Sequence, residues 1–74
     1  MRLKIRLDTM QDINDFIDIA EKESKNTYLV NGDGDFKVPI RSRLGAIAIA
    51  NLHFDDLWVE SDVDFAPKIL KWVE

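Results

Sequence analysis

Residues 40–51 read IRSRLGAIAIAN, and the fold turns on whether they form a strand or a helix. The alternation of isoleucine with alanine from Ala46 to Ala50 has the period of a half-buried strand, whereas a run opened by Ser42 and filled with alanine has the look of a capped helix. Alanine is depleted in strands, so a helix over residues 43–50 is the expectation, even though Gly45 costs it about 1 kcal/mol relative to alanine. At helical spacing, Leu44, Ile47 and Ala48 share one side, and Ala46, Ile49 and Ala50 share the other. Both sides are apolar, and only one can meet a core. Either the helix is covered on both sides by loops, or it presents aliphatic side chains as a partner site.

On the N-terminal side lies NTYLVNGDGDFKVPI, two apolar runs around a Gly and Asp cluster, which reads as a hairpin turning near Asn31 to Asp35. Pro39 cannot donate to a ladder, so its strand belongs at a sheet edge. In DTMQDINDFIDIAEKESKN, Met10, Ile13, Phe16, Ile17 and Ala20 fall on one helical stripe, capped by Asp8 or Thr9. The opposite face carries Asp12, Asp15, Asp18, Glu21 and Glu23. Residues 2–7 alternate Leu3, Ile5 and Leu7 against Arg2, Lys4 and Arg6. Beyond the central stretch, FDDLWVE points Leu57 and Val59 inward and Asp56, Trp58 and Glu60 outward, so pairing with residues 2–7 would match opposite charges across the strands. DFAPKILKWVE then sets Phe65, Ile69, Trp72 and Val73 on one side of a short closing helix, with Asp64 as cap and Pro67 in the first turn. The order is βαββαβα: one α+β domain over residues 1–74, an open-faced sandwich with helices on one face of a four-stranded antiparallel sheet.

Composition narrows the function. The 74 residues contain no cysteine, which leaves no disulfide framework or thiolate metal site and makes an intracellular home the simplest expectation. A formal charge of −4 argues against a phosphate-backbone binder, since Arg41 and Arg43 are the one local basic pair. The N-terminus MRLKIRLD has no apolar leader segment, and no apolar run is long enough to span a bilayer, so neither nucleic acid nor membrane is an expected partner. NGDGD has oxygens at alternate positions, but Phe36 and Ser42 stand where a calcium loop needs glycine and glutamate, so a hairpin turn explains it better. Asp55 and Asp56, as strand neighbours, would point to opposite faces and make no acid–base pair. With one histidine, no cysteine and no phosphate-cradling loop, no enzyme mechanism, metal or cofactor is expected.

The order βαββαβα together with Arg41, Ser42, Arg43, Leu44 and Gly45 resembles the histidine-containing phosphocarrier (HPr) family of the bacterial phosphotransferase system. Its second helix opens with a regulatory serine in a Lys-Ser-Ile-Met-Gly-type motif. The resemblance covers the chain by pattern and residues 41–50 by motif. It implies that Ser42 is a target of a dedicated kinase, that Ala46, Ile49 and Ala50 face the core, and that Arg41, Arg43, Leu44 and Ile47 face partners: phosphotransferase enzymes, an HPr kinase or a transcriptional regulator. A phosphate on Ser42 would sit at a helix N-terminus between two arginines, where its charge is favoured, although serine there also serves as a plain N-cap.

The family's defining histidine is absent. Its carrier reaction uses a histidine at the start of the first helix with an arginine nearby, where this chain has Thr9, Gln11 and Asp12 and no histidine or arginine between Asp8 and Arg41. Asp8, Asp12 and Asp15 would repel a phosphoryl group there. His53 follows the second helix instead and reads as a surface or loop residue. The expectation is therefore a cytoplasmic, HPr-like regulatory or protein-binding module without phosphocarrier chemistry. The competing reading is a small-molecule-binding regulatory domain of ferredoxin-like or ACT type, and a third is a degenerate copy with no partner. Sheet order separates the first two: residues 2–7 beside 54–60, with 36–40 at the far edge, is the HPr arrangement. The sequence carries no signal for oligomeric state.

Overall fold

A computed structural model describes residues 1–74. Alternation makes β1 (Arg2–Ile5), β2 (Thr27–Asn31), β3 (Lys37–Pro39) and β4 (Leu57–Ser61), and helical periodicity makes α1 (Met10–Glu23) and α2 (Arg43–Leu52). The fold is α+β, βαββαβ, with an open antiparallel sheet in the order β1-β4-β2-β3. The 40–51 stretch is helical, and the helix runs two residues past the expected end.

Register sorts the side chains. Leu3 and Ile5 lie opposite Val59 and Leu57, and Leu29 lies opposite both Val59 and Val38, so these residues share the face that the helices cover. Ile5, Leu29, Leu57 and Val59 form the core with Ile13, Phe16, Ile17 and Ala20 of α1 and Ala46, Ile49 and Ala50 of α2, closed by Phe65, Ile69 and Trp72, while Leu3 and Val38 pack at its margin. The Trp72 ring meets Phe16 edge-on, with centroids 5.8 Å apart. Met10 departs from the expected buried stripe and is 51% exposed. It is the first helical residue, and a side chain there leans toward the helix N-terminus, where no preceding turn covers it.

The charge-matched outer face forms as expected at one end. Glu60 takes Arg2 at 3.0 Å and Lys37 at 3.5 Å, while Arg2 lies over the Trp58 ring and Lys37 over Tyr28. Asp56 does not join this face as a strand residue. It and Asp55 lie in the turn before β4, where the Asp56 carboxylate accepts the Gly32 N–H at 3.0 Å and the Trp58 indole N–H at 3.1 Å. A Cβ at residue 32 would run into that carboxylate, so a larger residue there would have to displace the Asp56 side chain from its two hydrogen bonds. The turn itself needs Gly34, at φ +78°, and Asn31 Oδ1 accepts the Phe36 N–H across it at 3.0 Å. Pro39 sits on the edge strand as its missing N–H demands.

The seventh element is not an α-helix. Residues 66–68 and 70–72 form two 3₁₀ turns, joined by hydrogen bonds such as Lys68 N–H to Phe65 O and Trp72 N–H to Ile69 O. The tighter 3₁₀ winding rises further per residue. That reach lets the chain end cover the β1 edge, where Arg6 N–H donates to Trp72 O, Glu74 N–H donates to Lys4 O, and Val73 bridges Ile5. No helix is long and apolar enough to cross a membrane.

Candidate functional site

Helix α2 holds the residues that the sequence singled out, and the fold treats them differently. Ala46, Ile49 and Ala50 are buried in the core. Leu44 is 85% exposed. Ile47, the other aliphatic residue expected to face partners, is half-buried and packs against the core's margin. The outward row is instead Leu44, Ala48 and Leu52, one turn apart, with Leu52 76% exposed. The row could have been extended to Leu52 from sequence, because the Leu44 spacing continues to it once the helix is not stopped at residue 50.

Gly45 is what brings this helix onto the sheet edge. A Cβ there would stand 2.9 Å from Val38 Cγ1, so the absent side chain lets α2 lie against β3. Between them runs an open, mainly apolar groove of about 240 Å³, lined by Phe36, Val38, Ala48, Ile49, Leu52 and His53. Phe36 is 56% exposed, and the His53 ring lies against it with centroids 5.2 Å apart. Phe36 and Val38 are partners that no local signal in the sequence assigns to α2, since only folding of the hairpin carries them there.

Ser42 occupies the N-cap position without capping. Its carbonyl accepts the Ala46 N–H at 2.8 Å and its own N–H donates to Pro39 O at 2.9 Å, but at φ −82° and ψ 77° the hydroxyl makes no cap hydrogen bond. The side chain is exposed beside Val38, Arg43, Leu44 and Gly45 in a shallow depression. The plain capping role expected of it is therefore not performed. Its flanking arginines also part ways. Arg43 crosses to α1, donating to Asp18 at 2.9 Å and Asn14 at 3.3 Å with Glu21 at 3.8 Å, so it ties the two helices together while its side chain stays partly exposed. Arg41 is exposed and makes no ion pair.

The start of α1 is electrostatically closed to anions. Arg6 is taken by Asp8 at 2.7 Å, and Thr9 Oγ1 accepts the Asp12 N–H at 3.0 Å. The Asp12 carboxyl is held below its ordinary range, first by the Trp72 indole N–H and then by Thr9. His53 sits at the far end of α2, as its C-cap. At the opposite end of the molecule, Asp62 accepts from Ser24 and Asn26 and is likewise held low, Ser24 first.

The site on α2 offers apolar area, one uncommitted arginine and one uncommitted hydroxyl. No family model, curated protein or solved structure matches the chain.

Proposed function

We propose that this chain is an HPr-like regulatory or protein-interaction module of the bacterial phosphotransferase network, cytoplasmic, without phosphocarrier or other catalytic chemistry, docking through α2 and switched by phosphorylation of Ser42. The observation that carries the reading is the pairing, on one helix, of an exposed apolar row with a serine whose hydroxyl no structural bond uses. The sheet order supports it too: β1 lies beside β4 and β3 is at the far edge, which favours the HPr arrangement over the ferredoxin-like or ACT alternative.

The switch follows from charge. A phosphate on Ser42 would lie at the N-terminus of α2, where the first N–H groups and Arg41 favour its negative charge, and would compete for Arg43 with Asp18 and Glu21. Modification would thus place a strong anion beside Leu44 and loosen the α1–α2 joint. The test is the intact mass after incubation with an HPr kinase and ATP, beside the Ser42→Ala variant. One phosphate gained by the parent chain and none by the variant is expected. No gain, while a phosphocarrier substrate is modified in the same mixture, overturns the serine switch.

A further inference from the structure

The NGDGD stretch at the hairpin turn carries a chemistry that neither docking nor a serine switch uses. Asparagine followed by glycine is the pair most prone to cyclise, because the glycine nitrogen has no adjacent Cβ to hinder its attack on the side-chain amide. Of the four asparagines only Asn31 is followed by glycine; Asn14, Asn26 and Asn51 precede Asp15, Thr27 and Leu52. In the reaction the Gly32 nitrogen loses its proton to solvent base and bonds to Asn31 Cγ, and ammonia leaves. Water then opens the cyclic imide at either carbonyl, giving aspartate or isoaspartate. Water is the one co-reactant.

The fold holds both partners of this reaction. Asn31 ends β2 and is 6% exposed. Its Oδ1 accepts the Phe36 N–H at 3.0 Å, its own N–H donates to Phe36 O at 3.3 Å, and its carbonyl accepts the Gly34 N–H at 3.0 Å. The Gly32 N–H, the nucleophile in waiting, donates to the Asp56 carboxylate at 3.0 Å, and the Trp58 indole N–H at 3.1 Å pins that carboxylate in place. A carboxylate there acts twice. It engages the N–H as an acceptor, and its charge opposes loss of the proton, because a second anion beside it is disfavoured.

We propose that Asn31 is a site of spontaneous deamidation that Asp56 keeps closed, and that it reacts only when the hairpin turn opens and the Gly32 N–H leaves the carboxylate. The product bears on the groove beside α2. Isoaspartate adds a methylene to the main chain at residue 31, whose backbone and side chain both pair with Phe36, so Phe36 loses its anchor and the groove loses one wall. Neither Ser42 nor the nature of any partner enters this inference.

The test is peptide mapping by mass spectrometry on the full chain held at mildly alkaline pH, which follows amide-to-acid conversion at each asparagine and separates aspartyl from isoaspartyl products. Asn31 is expected to convert first, and at least about tenfold faster in denaturant than in the folded chain. Asp56→Ala is expected to speed conversion in the folded chain at least about tenfold. Asp62→Ala removes another carboxylate that accepts two side-chain hydrogen bonds, from Ser24 and Asn26 at the opposite end of the molecule. It is expected to leave the Asn31 rate within about twofold of the parent, because opening there is separate from opening of the turn. Asp56→Asn keeps one acceptor without the charge; it is expected to speed conversion about threefold or more, and it serves if the alanine variant does not fold. Parent-like rates in the Asp56 variants, equal acceleration by Asp62→Ala, or first conversion at another asparagine overturns the proposal. Circular dichroism checks the fold of each variant.

Discussion

Helix α1 begins at a threonine whose hydroxyl accepts the Asp12 N–H, while α2 begins at a serine whose hydroxyl holds no backbone group. The polar side of α1 is spoken for as well: Asp15 accepts from Gln11, Asp18 and Glu21 face Arg43, and Glu23 accepts from Lys68 at 2.8 Å. Outward from α2 there is only Leu44, Ala48, Asn51 and Leu52, and Asn51 turns back to the Ile47 carbonyl. One helix is completed by its own chain, and the other is left with apolar area that nothing in the chain covers. An element whose caps and charges close internally contributes to stability, whereas one that carries exposed leucine at the expense of solubility is where function is to be sought.

The largest effect that would test this contrast is in the core. Phe16→Ala, beneath α1 and against Trp72, is expected to cost about 3–5 kcal/mol in chemical denaturation, whereas Leu44→Ala on α2 stays within about 0.5 kcal/mol. Comparable losses from the two would mean that Leu44 is packed and the row is not free. Next is Gly45→Ala. Its gain in helix propensity opposes its intrusion on Val38, so the single change is expected to destabilise by about 1 kcal/mol, and in a Val38→Ala background to stabilise by about as much. An additive pair would separate α2 from the β3 edge.

The caps give a smaller, cleaner difference. Thr9→Ala is expected to lower stability by about 1 kcal/mol, while Ser42→Ala leaves it nearly unchanged. Equal losses would return Ser42 to an ordinary capping role and remove the main reason for calling its hydroxyl uncommitted. The smallest effect is acid titration. The folded Asp12 carboxyl sits below the ordinary value of 3.8, so its contribution is present above that pH and is lost as pH falls through the lower folded value. The stability of Asp12→Asn should therefore lie below that of the parent at pH 6 and approach it as pH falls below 3.8, and a constant offset would assign the effect to something other than ionisation.

How far the site was legible depends on the range over which each signal acts. The helix over 43–50, the inward side of α2 and the serine position follow from neighbours within a turn or two, or from a motif of five residues. The helical angle of Ile47 alone puts it near Leu44, yet Arg43, one turn before it, is drawn to Asp18 on α1, and Ile47 is half-buried. Phe36 and Val38 entered the groove from a different element altogether. The closing segment buries Phe65, Ile69 and Trp72 of its expected set and leaves Val73 half-buried at the β1 edge, and it does so in 3₁₀ turns, because the requirement that it meets is to reach that edge and not to continue a helix.

The sequence by itself determined what local periodicity and backbone chemistry can settle: strands where apolar and polar residues alternate, α1 from its stripe and a cap at Asp8 or Thr9, the hairpin from the cluster between Asn31 and Asp35, and the edge position of Pro39. Only the tertiary structure decided the order β1-β4-β2-β3, the engagement of Arg43 by α1, the idle hydroxyl of Ser42 and the row from Leu44 to Leu52 as the uncovered side. The physical reason is one of distance along the chain. Propensity, capping and turn preference act between residues a few positions apart, while burial and ion pairing are set by whichever element packing brings alongside.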